Sequence, residues 1–233
     1  MKLHRFIGNF DCGSDHIEIT DADVVSQILR VLRLGVGDRL ILSDGAGNEC
    51  IGEIAERQKE RVTIHIVERY KNTNESAVAS VLYCAILKRE NFELVVQKAT
   101  EIGISEIVPV ITQRTVKLDI KEDRLRKIIA EAAEQSGRGR VPILHAPMQF
   151  ADALNDAKRN AVNLFFALSE TSIETVDLHG KQSRGIFIGP EGGWTEEEAA
   201  AARGAGCAVV SVGPLTLRAE TAAIVAVYLG TRD

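Results

Sequence analysis

The chain has 233 residues, of which 45% are hydrophobic and 26% are charged, values that are ordinary for a folded protein. No run of about 18 apolar residues and no signal-peptide pattern occurs, so we expect no membrane span and a cytoplasmic location. The net charge of −5 argues against a wholly basic surface, although local basic clusters can still bind nucleic-acid phosphates. The cysteines lie far apart without a Cys-x-x-Cys pair, which favours buried reduced thiols and predicts no metal site: Cys12, Cys50, Cys84 and Cys207.

The first part of the chain is predicted to be mostly β-structure. Residues 39–43 alternate between apolar and polar side chains, and the alternation continues over 50–55 and 61–67. Residues 21–34 are predicted to form a helix that ends at the glycines following them. This pattern fits a small barrel with one helix. The polar stretch 70–76 marks a boundary, so we predict two domains, 1–72 and 73–233.

The second part alternates between strand and helix patterns. Apolar runs predict buried strands, and apolar residues at helical spacing predict the helices between them. The last helix, 219–229, is apolar on nearly all sides and is predicted to be buried. Together these patterns predict an α/β domain with a mostly parallel sheet. The predicted strands are 78–87, 107–111, 163–168, 185–188 and 208–212, and the earlier helices are 92–102 and 125–133. Gly103 is predicted to end the first of these helices, and Thr195 with Glu198 predicts a capping box at the start of a helix after strand 185–188.

Two loops rich in glycine and proline each connect a strand to a helix. The first has the sequence GPEGGW over 189–194, and the second has VGPLTLR over 212–218. Loops at the carboxyl ends of parallel strands bind small ligands, so we predict one composite pocket. Neither loop has the pattern of a P-loop or of a dinucleotide fold. Main-chain groups beside apolar side chains suit a flat heterocycle such as adenine, but the loops could also merely connect elements.

Polar residues near these loops allow more than one interpretation. Arg218 could fix a phosphate or stabilise a developing anion. Glu220 and Thr221 could act in a site or simply satisfy the helix N-terminus. Glu191 is similarly ambiguous. Trp194 could stack on a base or cover the core beneath its loop.

Basic side chains cluster at several points of the chain. Lys88 and Arg89 follow a predicted buried strand, where active sites of open sheets gather. Arg138 and Arg140 lie on a loop after a helix, which we predict to be flexible and suited to a phosphodiester backbone. Any single one of these pairs is more typical of a solvated surface than of a binding site.

Five motifs, in order along nearly the whole chain, resemble the RsmE family of small-subunit ribosomal RNA uridine-N3 methyltransferases of the SPOUT class. The motifs are KRE at 88–90, QKATEIG at 97–103, EAAEQSGR at 131–138, IGPEGG at 188–193 and LRAETA at 217–222. VLRL at 31–34, followed by Gly37-Asp38, resembles the family's N-terminal PUA-like RNA-binding domain.

The resemblance implies an α/β-knot fold with a trefoil knot at its C-terminal end, a PUA-like β-barrel domain and a homodimer. It implies S-adenosylmethionine as cofactor and N3 of one uridine in 16S rRNA of the small ribosomal subunit as the target. No metal is required, because the methyl sulfonium is already activated. The residues implied for the cofactor are Leu168, Gly189, Pro190, Glu191, Gly192, Gly193, Val212, Leu215, Leu217, Arg218, Thr221 and Ala222.

The resemblance also implies catalytic and RNA-binding roles. Arg218 is expected to stabilise the uracil anion, and Glu220 is the lesser candidate for the proton acceptor. Two alternatives stay open: another RNA site for the methyl group, or an rRNA-binding assembly factor without catalysis. The residues expected to contact RNA phosphates are Arg30, Arg33, Lys88, Arg89, Arg138 and Arg140.

Two segments depart from the family pattern. Residues 22–27 lack the histidine that often precedes the VLR motif, which concerns RNA contacts of the N-terminal domain. Leu215-Thr216 replaces a more usual Arg-Ile and removes a basic side chain beside the cofactor loop.

Overall fold

The structure, a computed structural model, describes residues 3–116, 120–169 and 171–232. The chain forms two compact units. One contains Met1–Glu75 together with Ala133–Val141, and the other contains Ser76–Ala132 and Pro142–Asp233. The sequence had assigned 133–141 to the second domain, whereas in the structure this segment clusters with the first unit.

The first unit contains a five-stranded mixed sheet. Its strands are β1 (His4–Ile7), β2 (His16–Ile19), β3 (Arg39–Ser43), β4 (Asn48–Gln58) and β5 (Arg61–Lys71). The order across the sheet is β1-β3-β4-β5-β2, and only the β1–β3 pair is parallel. Register shifts interrupt the β4–β5 ladder at two points, and such bulges bend a strand. Alternate side chains of these strands face one core that includes Phe6, Leu40, Cys50 and Ile64.

The helical segment between β2 and β3 is shorter than predicted. Asp21 caps it, because its carboxylate accepts hydrogen bonds from the N–H groups of Asp23 and Val24, each at 3.0 Å. The helix α1 (Ala22–Ser26) passes into a π-helical turn over Gln27–Val31, and the helical structure ends there, before the predicted end at residue 34. Arg33 then adopts a positive φ of 55°, which is uncommon for a residue other than glycine.

Segment 133–141 is hydrogen-bonded into the first unit. Glu134 accepts the N–H of Ile7 at 2.7 Å, and the carbonyl oxygen of Gly137 accepts bonds from the side chains of Asn72 and Asn74. Main-chain bonds also join Gly47 to Gly139 and Gly45 to Val141. Many polar groups of this segment, which the sequence predicted to include a flexible loop, are thus paired within the first unit.

The second unit is built on a fully parallel sheet. Its strands are β6 (Ala79–Ala85), β7 (Glu106–Ile111), β8 (Ile143–Leu144), β9 (Met148–Gln149), β10 (Val162–Phe166), β11 (Ser183–Ile188) and β12 (Ala208–Val210). The order is β12-β10-β11-β6-β7-β8, and β9 also pairs with β7. The core contains an aromatic cluster in which Tyr83 stacks on Phe187 with ring centroids 4.5 Å apart. These strands confirm the predicted α/β class, whereas the trefoil knot stays a prediction.

In the described part of the chain, five α-helices accompany this sheet: α2 (Arg89–Ile102), α3 (Glu122–Ser136), α4 (Phe150–Asp156), α5 (Glu196–Gly204) and α6 (Ala219–Gly230). Gly103 ends α2 with a φ of 115°, as its position in the sequence predicted. The short strands β8 and β9 and the helix α4 were not predicted. In the parts of the chain that the structure describes, no helix is both long and apolar enough to span a membrane.

The helix α6 corrects the prediction of complete burial. Ala223, Ala226 and Val227 are fully buried against the sheet, and Gly230 lies close to Ile186. The opposite face is only partly covered, and Tyr228 is 48% exposed. The sheet can contact only one side of a helix, so apolar residues all round do not guarantee burial within one chain.

Candidate active site

The two glycine-rich loops line one cleft in the second unit. The cleft has a volume of about 460 Å³ and lies at the carboxyl ends of β10 and β11. The side chains of Leu168 and Leu215 are on its wall, yet they remain 80% and 74% exposed. The predicted residues that line the cleft are Leu168, Gly189, Pro190, Glu191, Gly192, Gly193, Val212, Leu215, Leu217 and Ala222.

Arg218 and Thr221 were predicted with this set but lie beside the lining. Arg218 is the N-cap residue of α6, has extended backbone, and is exposed. No side chain caps this helix end, although the N–H of Ala222 bonds to the carbonyl oxygen of Arg218 at 2.8 Å. Glu220 is partly buried in the first turn. The N-terminus of α6 therefore offers an exposed guanidinium and a carboxylate next to the second loop.

Trp194 packs over the core, which is one of the two placements that the sequence left open. Its ring lies against Phe165, with centroids 4.4 Å apart, and its indole N–H donates to the carbonyl oxygen of Phe166 at 2.9 Å. One side of the residue also lines the cleft. A Cβ at Gly189 would lie 3.0 Å from this indole ring, so the first loop needs glycine at that position.

Glu191 connects the first loop to the start of α2. Its carboxylate accepts the N–H of Lys88 at 2.9 Å, and Lys88 is the N-cap residue of α2. A carboxylate at a helix N-terminus is favourable because it opposes the positive end of the helix dipole. The bond also holds the start of α2, which carries Lys88 and Arg89, beside the loop.

The capping box predicted at the start of α5 is confirmed. The Thr195 hydroxyl accepts the N–H of Glu198 at 3.2 Å, and the Glu198 carboxylate accepts the N–H of Thr195 at 2.9 Å. The other carboxylate oxygen accepts the N–H of Gln113 at 2.9 Å. Glu198 is only 4% exposed, so these bonds compensate a buried carboxylate.

Arg114 is a residue of the cleft that sequence reasoning missed. It follows β7, and its Nη1 donates to the carbonyl oxygens of Gly192 at 2.6 Å and Trp194 at 3.3 Å. Its position just after a buried parallel strand is a signal that could have placed it in the cleft. Arg203 on α5 also lines the cleft and was not predicted.

The cysteine closest to the first loop is not a reactive thiol. Cys84, in β6, is fully buried, and this burial, with a smaller contribution from the Glu191 charge, raises the pKa of its thiol well above the usual value. A thiol is a nucleophile only as the thiolate, which this environment disfavours. Across residues 3–116, 120–169 and 171–232, no three His, Cys, Asp or Glu side chains form a group that could hold a metal ion.

The predicted RNA-contacting residues differ in accessibility. Arg30, Arg33 and Arg140 are exposed. Arg89 bonds to Glu93 at 3.1 Å and is also exposed. Arg138 is only 5% exposed and bonds to the carboxylate of Glu75 at 2.7 Å, a placement that does not favour a contact with phosphate.

Residues 74–229 match the RNA methyltransferase domain, and residues 19–67 match the RNA methyltransferase PUA domain. The parallel sheet with its glycine-lined cleft is therefore that of an RNA methyltransferase.

Related proteins identify the family within this class. The ribosomal RNA small subunit methyltransferase E of Rickettsia conorii is 31% identical over 97% of this chain and 94% of its own length. The same enzyme of Synechocystis is 31% identical over 84% of this chain and 67% of its own length. The chain belongs to the ribosomal RNA small subunit methyltransferase E family.

A solved structure agrees over nearly the whole chain. The ribosomal RNA small subunit methyltransferase E of Neisseria gonorrhoeae superposes with a TM-score of 0.88 and is 28% identical, and the match covers 97% of this chain and 95% of that one. That protein was solved with S-adenosyl methionine bound.

Proposed function

We propose that this protein transfers the methyl group of S-adenosylmethionine to N3 of one uridine in 16S rRNA of the small ribosomal subunit. The observation that carries the proposal is the single cleft lined by both glycine-rich loops in a member of this family. N3 of uracil bears a weakly acidic proton. Methylation therefore requires removal of that proton and alignment of the nitrogen with the methyl group.

The cleft fits the cofactor in size and in chemistry. Its volume of about 460 Å³ lies within the range of small-molecule sites. Gly193 and Gly213 have φ values of 71° and 150°, a backbone conformation that favours glycine, so the shape of both loops depends on these residues. Exposed Leu168 and Leu215 supply apolar surface for a flat ring. We assign cofactor binding to the lining residues named above, with Arg218 and Thr221 at the adjacent start of α6.

Two residues of α6 are assigned to the reaction. S-adenosylmethionine supplies, when bound, a methyl group already activated by a positively charged sulfur. Arg218 stabilises the uracil anion that forms when N3 loses its proton, and the positive end of α6 acts in the same direction. Glu220, in the first turn of the helix, is the lesser candidate for accepting that proton, directly or through water.

RNA binding is assigned to exposed basic residues of both units. Lys88 and Arg89 lie beside the first loop, where they suit phosphates next to the target base. In the PUA domain, Arg30 and Arg33 flank an exposed Val31, and the positive φ of Arg33 marks a backbone conformation that its surroundings must enforce. Arg140 remains a candidate, whereas the burial of Arg138 supports a structural role.

We also infer a homodimer and a cytoplasmic location. The partly covered apolar face of α6, which includes Tyr228, is suited to a second copy of the chain. The location follows from the proposed substrate, the small ribosomal subunit.

Titration calorimetry with S-adenosylmethionine tests the cleft. Wild type should bind at micromolar concentration, and Gly189→Ala should lose this binding because its Cβ would press on the Trp194 ring. Gly204→Ala is the matched control, since a Cβ there meets nothing within 4 Å. Equal binding by all three proteins would place the cofactor elsewhere.

Methylation of small-subunit particles, followed by mapping of the modified nucleotide, tests the target. Methyl transfer to N3 of one uridine supports the proposal. Transfer to another atom or another RNA would identify a different methyltransferase. Cofactor binding without any transfer would favour an assembly factor that has lost catalysis.

A further inference from the structure

A short segment after β7 holds the first loop in place. Within it, the N–H of Thr112 bonds to the Thr115 hydroxyl at 2.9 Å, which closes a tight turn. The two residues between them bond to the first loop and to the helix that follows it. The main-chain N–H of Gln113 donates to Glu198, and the side chain of Arg114 donates to two carbonyl oxygens of the first loop.

Glu198 provides the first of these attachments. Its two carboxylate oxygens accept one N–H from Gln113 and one from Thr195, each at 2.9 Å. The segment after β7 and the residue that ends the first loop are thereby joined through a single buried side chain. This attachment fixes the C-terminal end of the loop.

Arg114 provides the second attachment, in the middle of the loop. The oxygen of the Gly192–Gly193 peptide accepts from Arg114 Nη1 at 2.6 Å, and the N–H of the same peptide donates to Pro190 at 2.8 Å. Since a peptide unit is planar, holding both its oxygen and its N–H fixes its orientation. This unit joins two glycines, which otherwise have the greatest backbone freedom in a chain.

We propose that Arg114 is a positioning residue for the cofactor, an inference that rests on the proposed function of the cleft. It holds the Gly192–Gly193 peptide, which lines the cleft, in a single orientation. Without it, the glycine pair samples other conformations in the free protein, and binding must then restore the single competent one. Arg114 therefore acts on cofactor affinity and not on the chemical step.

The test compares three variants with wild type by calorimetry and by steady-state methylation. Arg114→Ala should raise the Kd for S-adenosylmethionine by about 10-fold or more, as expected for loss of a charged hydrogen bond. Arg114→Lys, which keeps the charge with a single donor group, should recover part of the affinity. Arg126→Ala is the control, because Arg126 also donates to a backbone carbonyl, that of Leu144 at 3.3 Å, outside the cleft.

The kinetic readout separates positioning from other roles. With saturating cofactor, kcat and the KM for RNA should equal the wild-type values in every variant, and only the KM for S-adenosylmethionine should rise. Trp194, the one tryptophan of the chain, reports the state of the loop through its fluorescence. Thermal unfolding checks that each variant is folded; if Arg114→Ala is not, Arg114→Lys decides.

Each contrary outcome has a separate meaning. Unchanged cofactor affinity in Arg114→Ala, with normal binding by wild type, would overturn the role of Arg114 alone. A change confined to the KM for RNA would make Arg114 an RNA contact and would also overturn it. Failure of wild type to bind S-adenosylmethionine would overturn the proposed function itself and, with it, this inference.

Discussion

The guanidinium of Arg184 is a buried charge that bonds to several main-chain carbonyl oxygens. Arg184 is fully buried, and its guanidinium donates to carbonyl oxygens of Leu178 at 3.0 Å, Lys181 at 2.9 Å and Gly230 at 3.2 Å. Gly230 is the last residue of α6, so the positive charge faces the negative end of that helix. One side chain thus links the end of the last helix to the segment before β11.

At the proposed reaction centre, Arg218→Ala should separate catalysis from binding. We expect kcat to fall about 100-fold or more, as when one donor to a developing anion is removed. The Kd for S-adenosylmethionine should change little, because the guanidinium lies beside the cleft lining. Steady-state methylation and calorimetry on the same protein provide the comparison. Comparable losses in both would contradict a catalytic role.

The four cysteines should be unreactive in the folded protein. Burial raises the pKa of Cys12 to about 12 and that of Cys207 to about 11, and it also raises the pKa values of Cys50 and Cys84. A thiol reagent at pH 8 should therefore label native protein slowly and all four thiols after unfolding in guanidinium. Only two reactive thiols after unfolding would instead indicate a disulfide between Cys12 and Cys50, whose sulfurs lie 3.0 Å apart.

Among the elements, segment 133–141 depends on ion pairing within the first unit. Glu75 accepts bonds from Arg138 and from the N–H groups of Gly139 and Arg140. Glu75→Gln should therefore lower the free energy of unfolding by about 1–3 kcal/mol. Glu53→Gln is the control, because its pair with Arg39 is exposed and should contribute less than about 1 kcal/mol. Urea denaturation measures both, and equal effects would argue against the segment's structural role.

The start of β7 is tied to the region after α4 by an ion pair that predicts a pH dependence. The Arg159 guanidinium, bonded to both oxygens of Glu106 at 2.7 and 2.8 Å, holds the pKa of that carboxyl below its usual value, although burial opposes this. A lowered pKa in the folded state stabilises the protein above the unfolded-state pKa, and this contribution is lost as pH falls through the folded-state pKa. Glu106→Gln should therefore lose less stability than wild type between about pH 5 and pH 3 in urea denaturation. The same dependence of stability on pH in Glu106→Gln and wild type would contradict a stabilising role of the Arg159–Glu106 pair.

For the whole molecule, the incompletely covered α6 predicts self-association. Light scattering should give twice the mass of one chain for wild type. Tyr228→Glu, which puts a charge on the apolar face, should give the mass of a single chain. Val67→Glu is the control, because Val67 is similarly exposed, at 43%, in the first unit. A single-chain mass for wild type would contradict the homodimer.

Local patterns were sufficient to predict most of the elements that carry the site. Apolar runs predicted the buried parallel strands, and a glycine predicted the end of α2. Thr195 and Glu198 predicted their capping box because its bonds join residues three positions apart. The loops 189–194 and 212–218 could be found for the same reason, since each lies between two recognisable elements.

Elements without a strong local pattern were not predicted. The strands β8 and β9 have two residues each, too few for any periodicity. The helix over 21–34 ends early in a π-helical turn that periodicity cannot indicate. For α6, composition described a helix apolar on nearly every side but not which side the sheet would cover.

The sequence by itself therefore determined the α/β class, the two glycine-rich loops and the family, because these depend on spacing between near neighbours. Only the tertiary structure decided which charged residues are free to contact a ligand and which are paired within the protein. Arg138 pairs with Glu75, Arg114 with Gly192 and Glu191 with Lys88, and these partners lie 63, 78 and 103 positions apart. Such contacts form when distant segments pack together, so no local pattern of residues encodes them.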